Sequence, residues 1–415
     1  MADLTTTFAG ISSPNPFWLA SAPPTNSGPQ IMRAFEAGWG GAVWKTLGVP
    51  IQNVSSRLSA LNHGDQKMIG LNNIELITDR PIEDNLREME AVKRRYPKHA
   101  LIASLMFETR EEWKDIIRKV EDVGCDALEL NFGCPHGMCE RGMGSAVGQE
   151  PKLLELITSW AKEFARVPVI VKLTPNITDV TIPAEAARRG GADAVSLINT
   201  IKSIISVDLD DYVPFPKVNG HSTNGGFCGP AVKPIALHMV GAIARKEGAR
   251  LPISGIGGIS DWRDAVEFML LGAGTVQVCT AVMHYGYRII DDLNQGLSDY
   301  LDKKGFSSVA ELTGRAIPHF TEWGALDLNY HHVAEVHETH CIGCNLCVVA
   351  CDDGGHQCID LGMKSQSSAP QAPPKVREAE CVGCNLCMLV CPAPGAITME
   401  RRVKTAHASP AAHAS

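Results

Sequence analysis

The sequence predicts an α/β protein in which a (β/α)8 barrel is followed by a small ferredoxin-like domain with two iron–sulfur clusters. Two observations carry this prediction. Along residues 1–327, short apolar runs alternate with longer amphipathic segments, which is the βα rhythm of a parallel sheet. Near the C-terminus, two runs of four cysteines share the spacing C-x2-C-x2-C-x3-C, which is typical of bacterial ferredoxins. A chain of 415 residues is long enough for one large and one small domain.

Eight apolar runs are expected to form the barrel strands. They are rich in Val, Ile and Leu and alternate little with polar residues, as is usual for strands covered on both faces. In chain order they are Phe17–Ala20, Gly41–Thr46, Leu101–Met106, Ala127–Phe132, Val169–Thr174, Ala194–Asn199, Pro252–Gly257 and Thr275–Ala281. Eight such strands with helices between them fit a (β/α)8 barrel over residues 1–327. A doubly wound open sheet is the alternative.

Amphipathic segments between these runs are predicted to be the outer helices. Examples are Glu111–Val123, Pro151–Phe164, Lys233–Lys246 and Trp262–Leu271. Asp261 precedes the last of these segments and is expected to cap it. A helical stretch at Tyr287–Lys304 is predicted to lie near the end of the barrel domain.

The carboxyl ends of the predicted strands are candidate site positions, because barrel enzymes place their function at that end. Seven of the eight strand ends are polar or glycine-rich. After strands seven and eight, Gly257-Gly258 and Cys279-Thr280 would offer backbone N–H groups to a phosphate. The pair Gly225-Gly226 is expected at the same site.

Two lysines at strand ends, Lys45 and Lys172, suit a ligand that gains negative charge. A reduced flavin is such a ligand, and a lysine beside its anionic edge stabilises the hydroquinone electrostatically. Lys172 is the first choice for this role, and Lys45 is expected to make a second contact with the ring. The alternative is that each lysine pairs with a carboxylate in the barrel mouth.

The glycine-rich segment after the fourth predicted strand contains a candidate acid, Cys134. Its glycines would let the loop close over a substrate like a lid. A thiol with a pKa near ~8.5 is mostly protonated at neutral pH, so it can donate a proton. His136 would either tune this thiol or lie on the surface of the loop, and Cys139 is expected to be structural.

Asparagines recur at expected substrate positions, namely Asn72-Asn73, Asn131 and Asn199. Each amide offers one acceptor and two donors. Several amides together would match a planar ring with alternating C=O and N–H groups, such as a pyrimidinedione. The alternative is that these side chains satisfy the backbone of the loops.

Eight of the 14 cysteines lie in the two repeated runs, which define a predicted domain over residues 333–400. In two-cluster ferredoxins the fourth cysteine of each run binds the other cluster. One [4Fe–4S] cluster is therefore expected on Cys341, Cys344, Cys347 and Cys391, and the other on Cys381, Cys384, Cys387 and Cys351. A zinc site or a disulfide framework is the alternative.

The bulk composition argues against several classes of partner. With a net charge of −8 and a pI near 6.0, neither nucleic acid nor an anionic membrane is an expected partner. No apolar stretch approaches the length of a membrane span, and the N-terminus lacks the pattern of a signal peptide. The number of thiols suits a reducing cytoplasm. The segment Lys364–Lys375 is expected to be a flexible loop and residues 401–415 a disordered tail.

Several motifs together resemble a known family. The specific segments are Cys134-Pro135-His136-Gly137-Met138 and Glu140-Arg141-Gly142-Met143-Gly144, accompanied by Lys172-Leu173-Thr174-Pro175-Asn176 and Ala127-Leu128-Glu129-Leu130-Asn131. They are similar to segments of the dihydroorotate dehydrogenase-like FMN barrels and, among these, of the dihydropyrimidine dehydrogenases. The resemblance covers nearly the whole chain, including the cysteine runs.

This resemblance implies an oxidoreductase that reversibly reduces uracil and thymine to their 5,6-dihydro forms. FMN would contact Ser21, Lys45, Thr46, Lys172, Gly226, Gly257, Gly258, Cys279 and Thr280. The pyrimidine would contact Asn73, Asn131, Asn199 and Thr200. Hydride from FMN would reach C6 of the ring, and Cys134 would protonate C5.

The resemblance also implies partners. The clusters would relay electrons from a separate subunit that binds FAD and NADH, within a homo-oligomer or a heterotetramer. A related enzyme acting on another ring, such as dihydroorotate or a hydantoin, is one alternative, although no arginine suited to a carboxylate is apparent at the strand ends. A non-catalytic electron-transfer subunit is the other alternative.

Overall fold

A computed structural model describes residues 2–362 and 372–402. Eight parallel strands close into a barrel in chain order, and the last strand pairs with the first. They are β1 (Phe17–Leu19), β2 (Gly41–Val43), β3 (Ala100–Leu105), β4 (Ala127–Asn131), β5 (Val169–Lys172), β6 (Ala194–Leu197), β7 (Ile253–Ile256) and β8 (Ala273–Val278). Each strand overlaps one predicted run. The predicted (β/α)8 barrel is therefore confirmed, and the open-sheet alternative is wrong.

The barrel strands are covered on both faces, which explains their apolar runs. Every residue of β1 to β7 is buried. A few polar side chains are buried with them, and Glu129 on β4 accepts a hydrogen bond from Gln277 on β8. Because β4 and β8 are not neighbours in the barrel, this bond crosses its interior. The barrel therefore contains a polar layer beneath its mouth.

Amphipathic helices surround the barrel. Their bounds are Gly28–Ala37, Ile82–Arg95, Arg110–Asp122, Pro151–Phe164, Thr181–Arg189, Lys233–Arg245, Trp262–Leu270 and Ile289–Lys304, with shorter helices at Ser145–Gly148 and Thr280–Tyr285. The predicted cap at Asp261 is confirmed, because its carboxylate accepts the backbone N–H groups of Arg263 and Asp264. None of the helices in the described part of the chain is both long and apolar enough to cross a membrane.

A four-stranded antiparallel sheet, which the apolar pattern of the sequence does not predict, accompanies the barrel. Its strands, in spatial order, are Ile201–Ser203, Gly225–Cys228, Gln66–Asn73 and Leu58–His63. The hairpin formed by the last two strands is largely exposed and rich in polar residues, so it lacks the apolar signal of the barrel strands. Asn73 and Gly226 lie opposite each other in this sheet.

The chain divides into two compact units, residues 1–320 and 321–415. The second unit contains the antiparallel strands His331–Val336 and Ile397–Arg402, a strand pair at Ile359–Asp360 and Lys375–Val376, and helices at Leu346–Asp352 and Leu386–Leu389. Arg401 and Arg402, which are predicted to belong to the tail, lie in the strand Ile397–Arg402 and pair with His332 and His331. The rest of the predicted tail, residues 403–415, and residues 364–371 of the predicted loop lie outside the described residues, whereas Lys375 at the end of that loop pairs with Asp360 in a strand.

Candidate active site and cluster sites

A cavity of about 480 Å³ lies at the carboxyl ends of the barrel strands. Most of the predicted site residues line it, namely Ser21, Lys45, Thr46, Asn73, Asn131, Cys134, Lys172, Asn199, Thr200, Gly257, Gly258, Cys279 and Thr280. A large pocket at this end of a barrel is where function is expected. The residues at the ends of the predicted strands therefore meet in one place.

Three residues predicted for the barrel site, Asn72, Gly225 and Gly226, do not line this cavity. Asn72 is fully buried, and the two glycines are close-packing positions in the antiparallel sheet. A Cβ atom on Gly226 would lie 2.1 Å from Thr200 Oγ1, and the Gly226 carbonyl accepts a hydrogen bond from Asn73 Nδ2 at 3.0 Å. The pair therefore positions two cavity side chains, and it does not itself face the cavity.

Lys172 rests on a buried carboxylate in the barrel interior. Its Nζ lies 3.4 Å from Glu129 Oε1, and Glu129 is 0 % exposed. The other carboxylate oxygen accepts from Ser196 Oγ at 2.8 Å and from Gln277 Nε2 at 3.1 Å. A buried charge of this kind needs both a counter-ion and hydrogen bonds. The lysine–carboxylate pairing considered as the alternative is thus present, and it orients Lys172 at the cavity floor.

Lys45 also has a carboxylate partner. Its Nζ lies 3.4 Å from Glu75 Oε2, and the opposite oxygen of Glu75 lies 3.2 Å from Arg57 Nη1. Lys45 and Glu75 both line the cavity. Each lysine of the site therefore has its ammonium group fixed by an acid, while both remain against the cavity.

A chain of amides and hydroxyls orients the asparagines. Asn199 Nδ2 donates to Asn131 Oδ1 at 3.0 Å, and Asn131 Nδ2 donates to Thr46 Oγ1 at 3.0 Å. Thr46 Oγ1 lies a further 3.1 Å from Ser21 Oγ. The chain links four strand ends, so a change at one member would move the others. These contacts fix the amide planes, which is the geometry that recognition of a flat polar ring requires.

Cys134 lies at the cavity in a protected position. Burial raises the pKa of its thiol to about 11, opposed by a backbone hydrogen bond from His136 and by the charge of Lys45. Its Sγ lies 3.5 Å from His136 O, and its own carbonyl accepts the Ser145 N–H at 2.9 Å. The thiol is therefore protonated at neutral pH, as a proton donor must be.

His136 is buried, so the surface-loop alternative is wrong. Its Nε2 lies 3.1 Å from the carbonyl oxygen of Glu75, and burial lowers its pKa. Because a carbonyl can only accept, the neutral ring carries its proton on Nε2 and leaves Nδ1 as an acceptor. That Nδ1 atom is buried without a hydrogen-bond partner among the described residues. Cys139, the predicted structural cysteine, does not line the cavity.

The two glycines after β7 are packed so closely that neither position has room for a side chain. Gly257 and Gly258 have φ values of +126° and +79°, which favour glycine. A Cβ atom on Gly258 would lie 2.9 Å from the backbone nitrogen of Lys233, the first residue of the helix Lys233–Arg245. The loop is thus pressed against a helix start, an arrangement that suits a phosphate.

Sequence reasoning missed three polar residues of the site, Glu75, Glu129 and Gln277. Gln277 lines the cavity and donates from Nε2 to Glu129 and Ser254, while its Oε1 is buried without a partner among the described residues. An N–H group of a bound ring would satisfy this orphaned acceptor. The available signal was a carboxylate and an amide inside runs that are otherwise apolar.

In the second unit, the cysteines surround two small cavities. One is lined by Cys341, Cys344, Cys347 and Cys391, and the other by Cys351, Cys381, Cys384 and Cys387, together with Cys358. These are the two crossed sets expected from the spacing. Within the described residues, no three His, Cys, Asp or Glu side chains converge on a point as they would around a single ion.

Comparisons with known proteins agree with both units. The sequence profile of dihydroorotate dehydrogenase matches residues 3–301, and that of the 4Fe-4S dicluster domain matches residues 334–399. The chain is 43 % identical over 367 residues to the NAD-dependent dihydropyrimidine dehydrogenase subunit PreA of Escherichia coli K12, covering 88 % of this chain and 89 % of the relative.

Two further relatives share less of the chain. A chloroplastic dihydropyrimidine dehydrogenase (NADP(+)) of Arabidopsis thaliana is 43 % identical over 332 residues, covering 77 % of this chain and 78 % of the relative. The catalytic subunit of dihydroorotate dehydrogenase B (NAD(+)) of Thermococcus kodakarensis is 38 % identical over 320 residues, covering 76 % and 99 %. The chain belongs to the dihydroorotate dehydrogenase family and carries a 4Fe-4S dicluster domain after its barrel.

Proposed function

We propose that this chain is the catalytic subunit of a dihydropyrimidine dehydrogenase, which reversibly reduces uracil and thymine to their 5,6-dihydro forms. The observation that carries the proposal is the convergence of a protonated, buried Cys134 and an ordered set of asparagine amides on one cavity. The names of the Escherichia coli and Arabidopsis relatives support the same reaction.

The cavity residues fit FMN as the bound cofactor. Gly257 and Gly258 would take its phosphate against the helix start, and Gln277 Oε1 would accept a ring N–H. Lys172, held from below by Glu129, would place a positive charge where the ring becomes anionic. When bound, FMN would supply the hydride that is added to C6 of the pyrimidine.

Cys134 would deliver the proton to C5. Its thiol stays protonated below a pKa of about 11, so nearly every molecule carries the proton at neutral pH. The same burial that raises the pKa keeps water from competing for the proton. In the reverse direction the thiolate, formed beside the ammonium group of Lys45, would accept the proton from C5.

The asparagines would hold the substrate ring. Asn131 and Asn199 are bonded to each other, which leaves each amide with capacity for a further hydrogen bond. Asn73 ends one strand of the antiparallel sheet and Thr200 directly precedes another, and Gly226 contacts both side chains. A planar ring with alternating donors and acceptors is matched by such a set, and an uncharged pyrimidinedione requires no additional counter-ion.

The second unit would carry electrons to the flavin. We assign Cys341, Cys344, Cys347 and Cys391 to one [4Fe–4S] cluster and Cys351, Cys381, Cys384 and Cys387 to the other. The electrons would come from a separate subunit that binds FAD and NADH. The name of the Escherichia coli relative, a subunit of an NAD-dependent enzyme, supports a separate subunit for NADH binding.

An anaerobic single turnover tests the proposal. The purified chain, with its flavin chemically reduced, is mixed with uracil, thymine, orotate or hydantoin, and flavin reoxidation is followed together with the reduced product. Stoichiometric dihydrouracil or dihydrothymine is expected. Reoxidation by orotate alone would assign the barrel to the dihydroorotate reaction, and no reoxidation by any of the four would refute the proposal.

A further inference from the structure

A fifth cysteine lies at the second cluster site. Cys358 is outside both cysteine runs, yet it is only 3 % exposed and its Sγ lies 3.6 Å from Cys351 Sγ. Its backbone nitrogen lies 3.4 Å from the same sulfur. Cys358 also lines the cavity formed by Cys351, Cys381, Cys384 and Cys387. Five thiols therefore surround a site to which four were assigned.

The local fold holds the backbone of Cys358 close to Cys351. The carbonyl of Cys358 accepts the Arg377 N–H at 2.8 Å, and the strand that begins at the next residue pairs with Lys375–Val376. The connecting residues 352–357 are all exposed, and the N–H groups of Gly355 and Gln357 donate to the Cys351 carbonyl at 3.2 and 2.9 Å. Because the two sulfurs lie 3.6 Å apart and both residues line the same cavity, either sulfur could occupy the same ligand position.

The two cluster sites differ in the number of cysteines that line them. The cavity lined by Cys341, Cys344, Cys347 and Cys391 contains no other cysteine among the described residues. A [4Fe–4S] cluster binds one thiolate on each of its four irons, so four cysteines are sufficient. A cysteine that was only a small buried hydrophobe would have no reason to contact the thiols of two assigned ligands, Cys351 and Cys381.

We propose that Cys358 is a reserve ligand of the second cluster, able to replace Cys351 on its iron. This inference depends on the ligand assignment of the proposed function. In the exchange, the Cys358 thiol releases its proton to water and forms one Fe–S bond, while the bond to Cys351 breaks and that sulfur takes up a proton. No iron or sulfur changes its oxidation state, so no oxidant or reductant is needed.

The test compares equivalent variants at the two sites. Cys351→Ala removes the fourth ligand of the second cluster, and Cys391→Ala removes the fourth ligand of the first, where no fifth cysteine is present. The double variant Cys351→Ala/Cys358→Ala removes the reserve ligand as well, and Cys358→Ala alone is the control. Iron and sulfide are quantified in the anaerobically purified full chain, and the oxidised proteins are examined by EPR for a three-iron cluster.

The expected pattern is specific. Wild type, Cys358→Ala and Cys351→Ala each retain about eight irons, four in each cluster, without a three-iron signal. Cys391→Ala and the double variant each lose about one iron and show that signal. A Cys351→Ala protein that loses iron like Cys391→Ala, or loses the whole second cluster, would contradict the proposal. Full iron content in Cys391→Ala would instead refute the ligand assignment itself.

Discussion

The buried pair of Lys172 and Glu129 makes a sharp prediction about stability. Glu129→Gln keeps the size of the side chain and an oxygen that can accept from Ser196, but removes the negative charge. The ammonium and carboxylate atoms are 3.4 Å apart, which corresponds to an attraction of about 5 kcal/mol at an effective dielectric constant of about 20. Removing one partner of a buried pair costs about 3–5 kcal/mol. The free energy of unfolding should therefore fall by about 3 kcal/mol or more.

The matched control is Glu163→Gln. Glu163 pairs with Arg110 at a shorter distance, 2.7 Å, but both side chains are about half exposed. An exposed pair contributes about 0–1 kcal/mol, so this variant should be close to wild type. Urea unfolding followed by tryptophan fluorescence measures both, since Trp18, Trp39, Trp44 and Trp113 are fully buried in the barrel unit.

The same substitution should raise the midpoint potential of the flavin. With Glu129 neutral, the charge of Lys172 is no longer offset, so it stabilises an anionic hydroquinone more strongly. Spectroelectrochemical titration measures this shift.

If Glu129→Gln lowers the free energy of unfolding no more than Glu163→Gln does, Lys172 is not held by a buried carboxylate as described.

Three further predictions concern the cavity and the clusters. The rate of uracil reduction by the reduced chain should stay level from neutral pH to about pH 10 and fall with a midpoint near pH 11, because the pKa of Cys134 is raised to about 11 and half of the thiols have lost their proton at that pH; a fall centred near pH 8 would contradict this. Gly226→Ala should weaken substrate binding at least about tenfold, because its Cβ atom would overlap Thr200 Oγ1, whereas Gly274→Ala, whose nearest neighbour would be at 3.5 Å, should not; equal affinities would refute it. Cys384→Ala should lose at least one iron of the second cluster while the barrel retains its flavin, as measured by metal and flavin content; unchanged iron would remove Cys384 from the ligand set.

The barrel could be predicted from the sequence because its strands are buried on both faces. Runs such as Val169–Thr174 begin with consecutive apolar residues, so they stand out from their amphipathic surroundings. Because parallel strands point the same way, the residues at their ends were bound to meet. Lys172 and Asn131, on neighbouring strands, are directly opposite each other in the register.

The parts that were missed give only a weak or ambiguous local signal. The hairpin of Leu58–His63 and Gln66–Asn73 is rich in polar residues and buries only Gly70, Leu71 and Asn72, so neither its strands nor their contribution to the cavity stands out. From the sequence alone, Glu129 would be taken for a surface carboxylate, because its partners lie on other strands, β5, β6 and β8. The burial of His136 likewise depends on the Glu75 carbonyl, which is 61 residues away in the chain.

The central claim, that Cys134 is the proton donor of a pyrimidine-reducing site, is tested most directly by Cys134→Ala. Cys139→Ala is the matched control, because it removes a thiol from the same loop outside the cavity. In the anaerobic single turnover with uracil, Cys134→Ala should form dihydrouracil at least about 100-fold more slowly while keeping its flavin and both clusters, and Cys139→Ala should stay within about threefold of wild type. Equal rates in Cys134→Ala and wild type would contradict the account.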